Sequence, residues 1–354
     1  MSMQANTTRK DFGVFLPVAN GGWIVSNATP PLDGLWKQNL AAALIADEIG
    51  LDFVMSMGKW RGFGGETNHW GVSMESMTMM AAIAQATSRV KVWATVHSLL
   101  HNPAVIAKMI TTLDHISGGR AGLNIVAGAF REEFDQMGEW DDTLSHDERY
   151  DLAEEWATIV KRLWREPSVD FDGRFFHMQD CVSDPKPISK PRPDLICAGM
   201  SERGFRFAVG QADAVFIGGR TPQEHRDHSR TAKAVAAELG STIKTYAMCT
   251  LIHAETDAEA EALVRRYTEG ADMAAIISML KSWGVPPERL VAEAEAQGPF
   301  MTQTVVGSPK TCGEKTERFL DQCELDGLML IFPDYVEGLH MFGAEILPRF
   351  RGPA

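Results

Sequence analysis

Two short apolar runs of the sequence contain polar residues whose side chains could contact a ligand. Thr95 lies in the run Val90–Val96, and His97 follows that run. Asn124 lies within the run Gly122–Ala127. Asparagine is disfavoured inside a strand unless its amide forms specific hydrogen bonds. A threonine favoured by strand propensity and an asparagine bonded to buried backbone are the structural alternatives. The residues alone leave both interpretations open.

Two further segments have the composition of binding loops. Met57–Gly65 combines four glycines with two cations and two aromatic rings. Glycine lets backbone approach a ligand closely, although such a loop can also be merely flexible. Ser201 follows Cys197-Ala198-Gly199 and precedes a helical pattern, so it is a candidate N-cap. A capped helix that begins after a strand is a common phosphate site, which points to a phosphorylated cofactor.

The elements that position these residues alternate along the chain. Short apolar or β-branched runs predict eight strands, and amphipathic patterns between them predict helices. Near-continuous apolar strands covered by helices are typical of a parallel sheet, and eight such units predict an α/β fold, a (β/α)8 TIM barrel. The predicted strands are Phe12–Pro17, Phe53–Met57, Val90–Val96, Gly122–Ala127, Leu195–Ala198, Ala214–Ile217, Thr245–His253 and Leu328–Phe332. The predicted helices are Leu35–Ile49, Ser73–Ala86, Pro103–Ile116, Asp147–Trp164, Thr221–Ala237, Asp257–Tyr267 and Thr311–Gln322.

Two intervals are too long for a simple strand-helix-strand unit. Residues 165–194 contain five prolines and are expected to form an irregular insertion with a short hairpin. Residues from about 270 to 308 combine a helical segment with proline and glycine breaks. Because insertions at the carboxyl ends of barrel strands shape active sites, we expect one domain over residues 1–354 with these two insertions.

Charge and composition restrict the partners. The chain has 34 basic and 47 acidic residues and a formal net charge of -13, which argues against nucleic acid or an anionic membrane as a main partner. Without a signal-peptide pattern or a membrane-spanning apolar run, the expected location is the cytoplasm. No metal site is expected, because the pair His225 and His228 has no third ligand nearby and suits a solvated helix face.

Several motifs together resemble those of the bacterial luciferase-like flavin monooxygenases, in particular the branch that oxygenates pyrimidines. The Lys-x-Arg-Gly-Phe-Gly-Gly and Ser-Gly-Gly-Arg combination is specific to the family, and the likeness covers nearly the whole chain. The segments that carry it are Pro17–Trp23, Lys59–Gly65, Ala86–Arg89, Ile116–Arg120, Asn124, Gln136–Gly138, Arg149–Asp151, Cys197–Gly199 and Val306–Ser308.

The resemblance implies a cofactor, partners and roles. It implies FMN in the reduced form, supplied by a partner flavin reductase, with O2 as co-substrate, and a homo-oligomer. Thr95 and Asn124 would lie beside the reactive flavin edge, where they can donate hydrogen bonds to an oxygen anion in a dry pocket. Tyr150 and Ser201 can donate to phosphate. The implied FMN contacts are Gly58, Lys59, Asn124, Glu133, Arg149, Tyr150 and Ser201.

The substrate side departs from the pyrimidine-oxygenating pattern. Ala129 stands where that branch has a tryptophan, Ala127 replaces a threonine, and Val96 and His97 follow the catalytic threonine in place of small residues. Because pocket shape and hydrogen bonding set selectivity, we predict a ring other than uracil. His97 is a candidate for protonating or orienting the substrate, since its unperturbed pKa is near neutral, and a packed histidine is the alternative. The predicted pocket is lined by Met57, Ala127, Ala129 and Phe130.

The favoured interpretation is a two-component monooxygenase that oxygenates, and could ring-open, an amide-containing N-heterocycle. One alternative is carbon–sulfur cleavage of a sulfone or sulfonate, for which Arg61 or Arg131 could bind the anion. Another is a deazaflavin-dependent dehydrogenase or a non-catalytic flavin-binding protein on the same barrel, since a fold does not fix a function.

Overall fold

Nine parallel strands form one sheet, and eight of them close into a barrel. The computed structural model describes residues 9–128, 130–199 and 201–351. The sheet order is β10-β9-β11-β1-β2-β3-β4-β7-β8, and pairing of β8 with β9 closes it. The strands are β1 Asp11–Phe15, β2 Phe53–Met55, β3 Lys91–His97, β4 Ala121–Val126, β5 Val169–Asp172, β6 His177–Cys181, β7 Asp194–Ala198, β8 Ala214–Phe216, β9 Lys244–His253, β10 Gln303–Gly307 and β11 Gly327–Ile331.

Helices follow the barrel strands, and several begin and end where the sequence supplies caps. Asn102 accepts a hydrogen bond from the first turn of α3, Pro103 opens that helix, and Gly118 ends it in the left-handed region. The helices are α1 Trp36–Ile49, α2 Ser76–Ala86, α3 Pro103–Ser117, α4 Arg131–Asp135, α5 His146–Arg165, α6 Glu202–Gln211, α7 Pro222–Glu238, α8 Asp257–Glu269, α9 Met273–Ser282, α10 Leu290–Gln297, α11 Pro309–Gln322 and α12 Tyr335–Met341, with short helical turns at Pro287–Arg289, Phe342–Ile346 and Leu347–Phe350.

The predicted barrel is confirmed, because each of the eight predicted strands overlaps one barrel strand. Residues 165–194 contain the antiparallel pair β5 and β6. The interval 270–308 holds α9 and α10 and also a strand that was not predicted, β10. This strand pairs with the second half of β9, outside the closed ring. Its short run, Thr304–Val306, gave no signal that separated it from the surrounding irregular segment.

Stacked aromatic rings fill the amino-terminal half of the barrel interior. The rings of Phe53 and Trp93 stack with centroids 3.9 Å apart, and Tyr246 from the opposite side lies 5.6 Å from Phe53. Gly13 and Gly122 make room for them, since a Cβ on either glycine would lie 2.2 Å from a ring carbon of Phe53 or Trp93. The first polar layer therefore lies above this floor, towards the carboxyl ends of the strands.

The Ser-Gly-Gly-Arg motif stabilises the amino-terminal face of the barrel. The Arg120 guanidinium donates to the carbonyl oxygens of Ala84, Thr87, Val90 and Ser117 and to the Thr87 hydroxyl, at 2.6 to 3.1 Å. One side chain thus joins the end of α2, the start of β3 and the end of α3. The motif that identifies the resemblance is structural and lies at the face opposite the carboxyl ends of the strands.

Replacing Arg120 with alanine is expected to lower the free energy of unfolding by about 2 to 4 kcal/mol, because four carbonyl groups lose a charged donor. Urea unfolding of both proteins measures this. Arg206→Ala is the matched control, since that side chain is 67% exposed and its ion pair is long, with Nε 3.7 Å from the Glu202 carboxylate. The control substitution should change the free energy of unfolding by no more than about 0.5 kcal/mol. Equal effects of the two substitutions would contradict the structural role of Arg120.

Among the described residues, no helix combines the length and apolarity needed to cross a membrane, and no three metal-ligating side chains cluster as a metal site requires.

The expectation of a solvated His225–His228 face is wrong for His225, which is buried. Its Nδ1 lies 3.0 Å from the Thr221 carbonyl oxygen, and its ring packs against Phe319.

Candidate active site

The predicted site residues converge on four neighbouring strands. β2, β3, β4 and β7 are adjacent in the barrel, and in a parallel sheet their carboxyl ends share one edge. Gly58 and Lys59 follow β2, Thr95 and His97 lie on β3, Asn124 lies on β4, and Ser201 follows β7. Trp93 packs inside the barrel, so the alternation of strand side chains points Thr95 and His97 inward as well.

A chain of hydrogen bonds fixes the side chains of Thr95 and Asn124. The Thr95 hydroxyl donates to the Ser56 carbonyl and accepts from Nδ2 of Asn124 at 3.1 Å. The Thr95 backbone N–H donates to the Ser76 hydroxyl at 2.9 Å. The Thr95 hydroxyl proton is used in the bond to the Ser56 carbonyl, so towards Asn124 the hydroxyl oxygen can only accept. The amide of Asn124 must therefore present Nδ2, and not Oδ1, to Thr95. Its Oδ1 is buried and has no partner among the described residues, and its second Nδ2 hydrogen is also available.

Lys59 and Glu133 form a buried ion pair. Lys59 Nζ lies 2.9 Å from Glu133 Oε1, and both side chains are 2% exposed. Three aromatic rings surround the ammonium group, with centroids 4.1 to 5.6 Å away: Phe63, Trp70 and Phe130. Burial lowers the pKa of Lys59, and the charge of Glu133 opposes that shift. A buried charge is tolerated when it is paired, and the rings add cation–π attraction.

Glu133 also holds the loop that follows β2. Its Oε1 accepts the backbone N–H groups of Trp60 and Arg61 at 2.9 and 3.3 Å. Since Glu133 lies on α4, one carboxylate ties the β2 loop to the segment after β4. Its other oxygen, Oε2, is buried without a partner among the described residues. This arrangement leaves an acceptor available to a ligand.

His97 is almost completely buried at the carboxyl end of β3. Its Nε2 lies 3.1 Å from the Gly58 carbonyl oxygen, and the edge of the ring meets Phe134 at a centroid distance of 5.4 Å. Burial lowers the pKa of His97, more than its neighbours Gly58 and Glu133 raise it. The imidazole is therefore neutral at neutral pH.

Tyr150, Ser201 and Gly204 meet at the amino end of α6. Ser201 caps that helix by accepting the Gly204 N–H at 3.0 Å. A Cβ on Gly204 would lie 2.3 Å from the Tyr150 hydroxyl oxygen, so the glycine allows the tyrosine to approach. Burial raises the pKa of Tyr150, and the neighbouring Ser201 opposes that shift, so the hydroxyl stays protonated and able to donate. The two hydroxyls thus lie beside a positive helix end.

The remaining predicted residues are placed as follows. Arg149 lies one residue before Tyr150 on α5; its guanidinium donates to the Leu144 carbonyl at 3.1 Å and covers the Trp140 ring. Of the pocket residues, Met57 and Ala127 are buried beside the site, whereas Phe130 forms part of the ring cluster around Lys59. Ala129 lies outside the described residues.

Three buried polar residues at the site were not predicted from the sequence. Ser56 and Ser76 support Thr95, and their hydroxyl oxygens lie 2.7 Å apart. His69 lies within the β2 loop and is fully buried. Neither ring nitrogen of His69 has a partner among the described residues. A histidine next to a tryptophan in a glycine-rich loop was the available signal, but burial could not be inferred without the fold.

Protonation of His69 is expected to destabilise the protein. Burial lowers the pKa of His69 from 6.5 to about 4, although the nearby Asp272 carboxylate opposes this shift. The unfolded chain therefore binds the proton first as pH falls. Stability is complete above about pH 6.5 and is lost as pH falls towards 4, by about 2 kcal/mol between pH 7 and pH 5.

The His69→Phe variant should lose about 2 kcal/mol less unfolding free energy than the parent over that pH interval. Urea unfolding at both pH values tests this. His340→Phe is the control, because His340 is exposed, and it should keep the parent's pH dependence. An unchanged pH dependence in His69→Phe would show that His69 is not the group responsible.

An open groove leads to the Lys59–Glu133 pair. It has a volume of about 610 Å³ and is lined by the β2 loop, α4 and the end of α9. Arg61 and Lys281 are cations on its wall. Arg131, by contrast, is occupied: it pairs with Asp135 at 3.0 Å and with Asp142 at 2.7 Å. Of the two arginines considered for a sulfonate, only Arg61 lines this groove.

Sequence comparison gives a family for this arrangement. The chain matches the model of luciferase-like monooxygenases over residues 10–322. It is 34% identical over 346 residues to the pyrimidine monooxygenase RutA of Acinetobacter baylyi, covering 95% of this chain and 93% of the relative. RutA of Rhizobium rhizogenes is 35% identical, with 96% of this chain and 95% of the relative covered.

Solved structures share the fold at lower identity. The riboflavin lyase RcaE, solved with modified FMN and riboflavin, superposes with a TM-score of 0.83 at 20% identity and covers 97% of this chain and 92% of its own. An F420-dependent secondary alcohol dehydrogenase has a TM-score of 0.73 at 20% identity, covering 98% and 100%. A lyase and a dehydrogenase share this barrel, so these likenesses establish the fold alone.

Proposed function

This chain belongs to the luciferase-like monooxygenase family and is a flavin-dependent monooxygenase, and we propose that it uses reduced FMN and dioxygen to oxygenate a small, amide-containing N-heterocycle. For a cyclic amide, we propose that oxygenation opens the ring. One barrel domain spanning residues 1–354 performs the reaction, as a homo-oligomer, and a separate reductase supplies the reduced FMN. The main support is the Thr95–Asn124 pair, whose amide retains a buried acceptor.

The residues present fit a flavin mononucleotide. A flavin ring has donors and acceptors along its edge, and the site offers buried acceptors, Asn124 Oδ1 and Glu133 Oε2, with no partner among the described residues. A phosphate needs donors and positive potential, and the α6 terminus offers the Ser201 and Tyr150 hydroxyls. The polar edge and the phosphate thus have separate, chemically suitable groups, on β4 and on the helices that follow the neighbouring strands β4 and β7.

We assign the FMN ring to Gly58, Lys59, Asn124 and Glu133, and the phosphate to Arg149, Tyr150 and Ser201. When bound, reduced FMN supplies the electrons that activate dioxygen. The aromatic rings around Lys59 shield its ammonium group, which is 2% exposed, from water. Asn124 donates a hydrogen bond from Nδ2 to oxygen where negative charge develops, and Thr95 holds the amide in that orientation.

An N-heterocycle is favoured over a sulfonate by the charges at the site. Lys59 is neutralised by Glu133, and Arg131 by two aspartates. A fully ionised sulfonate would need an unneutralised cation beside the reacting carbon, whereas the cations Arg61 and Lys281 line the wall of the open groove. A neutral ring makes no such demand. The names of the RutA relatives, pyrimidine monooxygenases, point the same way.

The proposal is tested by mixing the protein and chemically reduced FMN with oxygenated buffer and pyrimidines, pyridines, pyrazines or purines. We expect oxygen uptake beyond that of free reduced FMN, and a product heavier by oxygen, with at least one of these classes. Sulfite release from sulfonates would favour the sulfonate alternative. Hydride transfer to a deazaflavin without oxygen uptake would contradict the monooxygenase proposal.

Asn124→Ala should lower the rate of oxygenation by about 100-fold or more, because a donor to developing charge is lost, while FMN affinity changes far less. Thr95→Val should have a smaller effect in the same direction, and Thr95→Ser, which keeps the hydroxyl, should retain most of the rate. Single-turnover product formation and flavin fluorescence titration separate the two quantities. Oxygenation at the native rate by Asn124→Ala would overturn its assignment.

Removing the phosphate donors should weaken FMN binding and leave riboflavin binding unchanged. Each of Ser201→Ala and Tyr150→Phe is expected to raise the Kd for FMN by about 10-fold, the cost of one hydrogen bond to a charged group. Riboflavin, which lacks the phosphate, is the control ligand. A parallel loss of affinity for both flavins would place these residues away from the phosphate.

A further inference from the structure

The imidazole of His97 has the position of a specificity determinant. His97 follows Thr95 by two residues on the inward face of β3, so it lies about 7 Å closer to the barrel mouth. In the β3–β4 register, Thr95 pairs with Asn124 and His97 with Val126. The ring is therefore in the layer directly above the Thr95–Asn124 pair, on the side of the barrel mouth.

The protonation state of the ring follows from its one hydrogen bond. Nε2 lies 3.1 Å from the Gly58 carbonyl oxygen, and a carbonyl oxygen can only accept. Nε2 must therefore carry the hydrogen. In a neutral imidazole the other nitrogen, Nδ1, then has a free lone pair and no proton. A neutral ring is favoured because the side chain is buried among Gly58, Phe134 and the barrel wall.

The Nδ1 lone pair is unsatisfied. This atom is buried and has no partner among the described residues. A buried acceptor without a donor costs free energy, which a donor from a ligand would recover. The ionisable groups around the ring are Lys59 and Glu133, which neutralise each other, and His101. None of these three groups donates a hydrogen bond to Nδ1.

We propose that His97 is a fixed hydrogen-bond acceptor that selects substrates carrying a ring N–H. Its Nδ1 accepts the N–H of a lactam or cyclic ureide, and it does not act as the proton donor of the reaction. Gly58 makes this possible, since a Cβ there would lie 3.2 Å from His97 Nε2 and crowd the ring. The inference rests on the proposed N-heterocycle oxygenation and narrows its substrate class.

The tautomer can be tested without substrate or flavin. The chain has ten histidines, and protein labelled with 15N-histidine gives one pair of ring nitrogens for each. The His97 pair is assigned by its absence from the spectra of His97→Phe and of His97→Gln. At neutral pH we expect Nε2 protonated and Nδ1 bare. A proton on Nδ1, or on both nitrogens, would overturn the inference even if the enzyme oxygenates heterocycles as proposed.

Selectivity is tested with matched substrates and reduced FMN. 2-Pyridone and 4-pyrimidinone are each compared with their N-methylated forms, N-methyl-2-pyridone and 3-methyl-4-pyrimidinone, in binding and in oxygenation. The parent should prefer the N–H member of a pair by about 10-fold or more. His97→Phe should lose this preference through weaker binding of the N–H compound alone, and FMN affinity should change far less than this preference.

His97→Gln is the rescue variant, because a carboxamide can donate to the Gly58 carbonyl and still present an oxygen acceptor. It should recover part of the preference. A preference that is as large in His97→Phe as in the parent would overturn the role of His97. Failure of every heterocycle with the parent protein, by contrast, would contradict the proposed function and leave the tautomer measurement to judge His97 independently.

Discussion

The candidate site depends on one buried ion pair, Lys59 with Glu133. Two charges that are each 2% exposed are stable only if their geometry is fixed, because either charge alone in this environment would be strongly destabilising. The pair ties the loop after β2 to α4 after β4, and Glu133 also accepts two backbone N–H groups of that loop. The loop in turn places the Gly58 carbonyl that orients His97. Rigid placement of the polar groups is what catalysis by fixed dipoles requires.

The barrel separates stability from chemistry along its axis. At the amino-terminal face, Arg120 joins two helix ends and a strand, and aromatic rings close the interior above it. The first polar layer is the Ser56–Thr95–Asn124 chain, with His97 one layer further up. The same family motifs therefore serve different purposes, with Ser-Gly-Gly-Arg holding the fold and the Lys59 loop shaping the site.

The barrel strands could be predicted from the sequence because each is an apolar run long enough to stand out between amphipathic helices. β10 could not, because its pairing with the far half of β9 is a tertiary feature of a short run. The sequence also indicated Thr95, Asn124 and His97 as candidates, but not the role of Ser56 or Ser76, since serines are common in loops and only the strand register places them behind Thr95. The expectation that His225 is solvated was wrong, because the helical pattern of the sequence does not show that its ring packs against Phe319.

In the proposed reaction this chain transfers oxygen from dioxygen to a ring, with FMN as the electron source. The most direct measurement is a single turnover of reduced FMN, an accepted heterocycle and 18O-labelled dioxygen, followed by mass spectrometry of the product. We predict that one 18O atom enters the organic product, whereas in 18O-labelled water with unlabelled dioxygen the newly added atom is unlabelled. A product whose added oxygen comes from water, or a turnover that consumes no dioxygen, would contradict the proposed oxygenation.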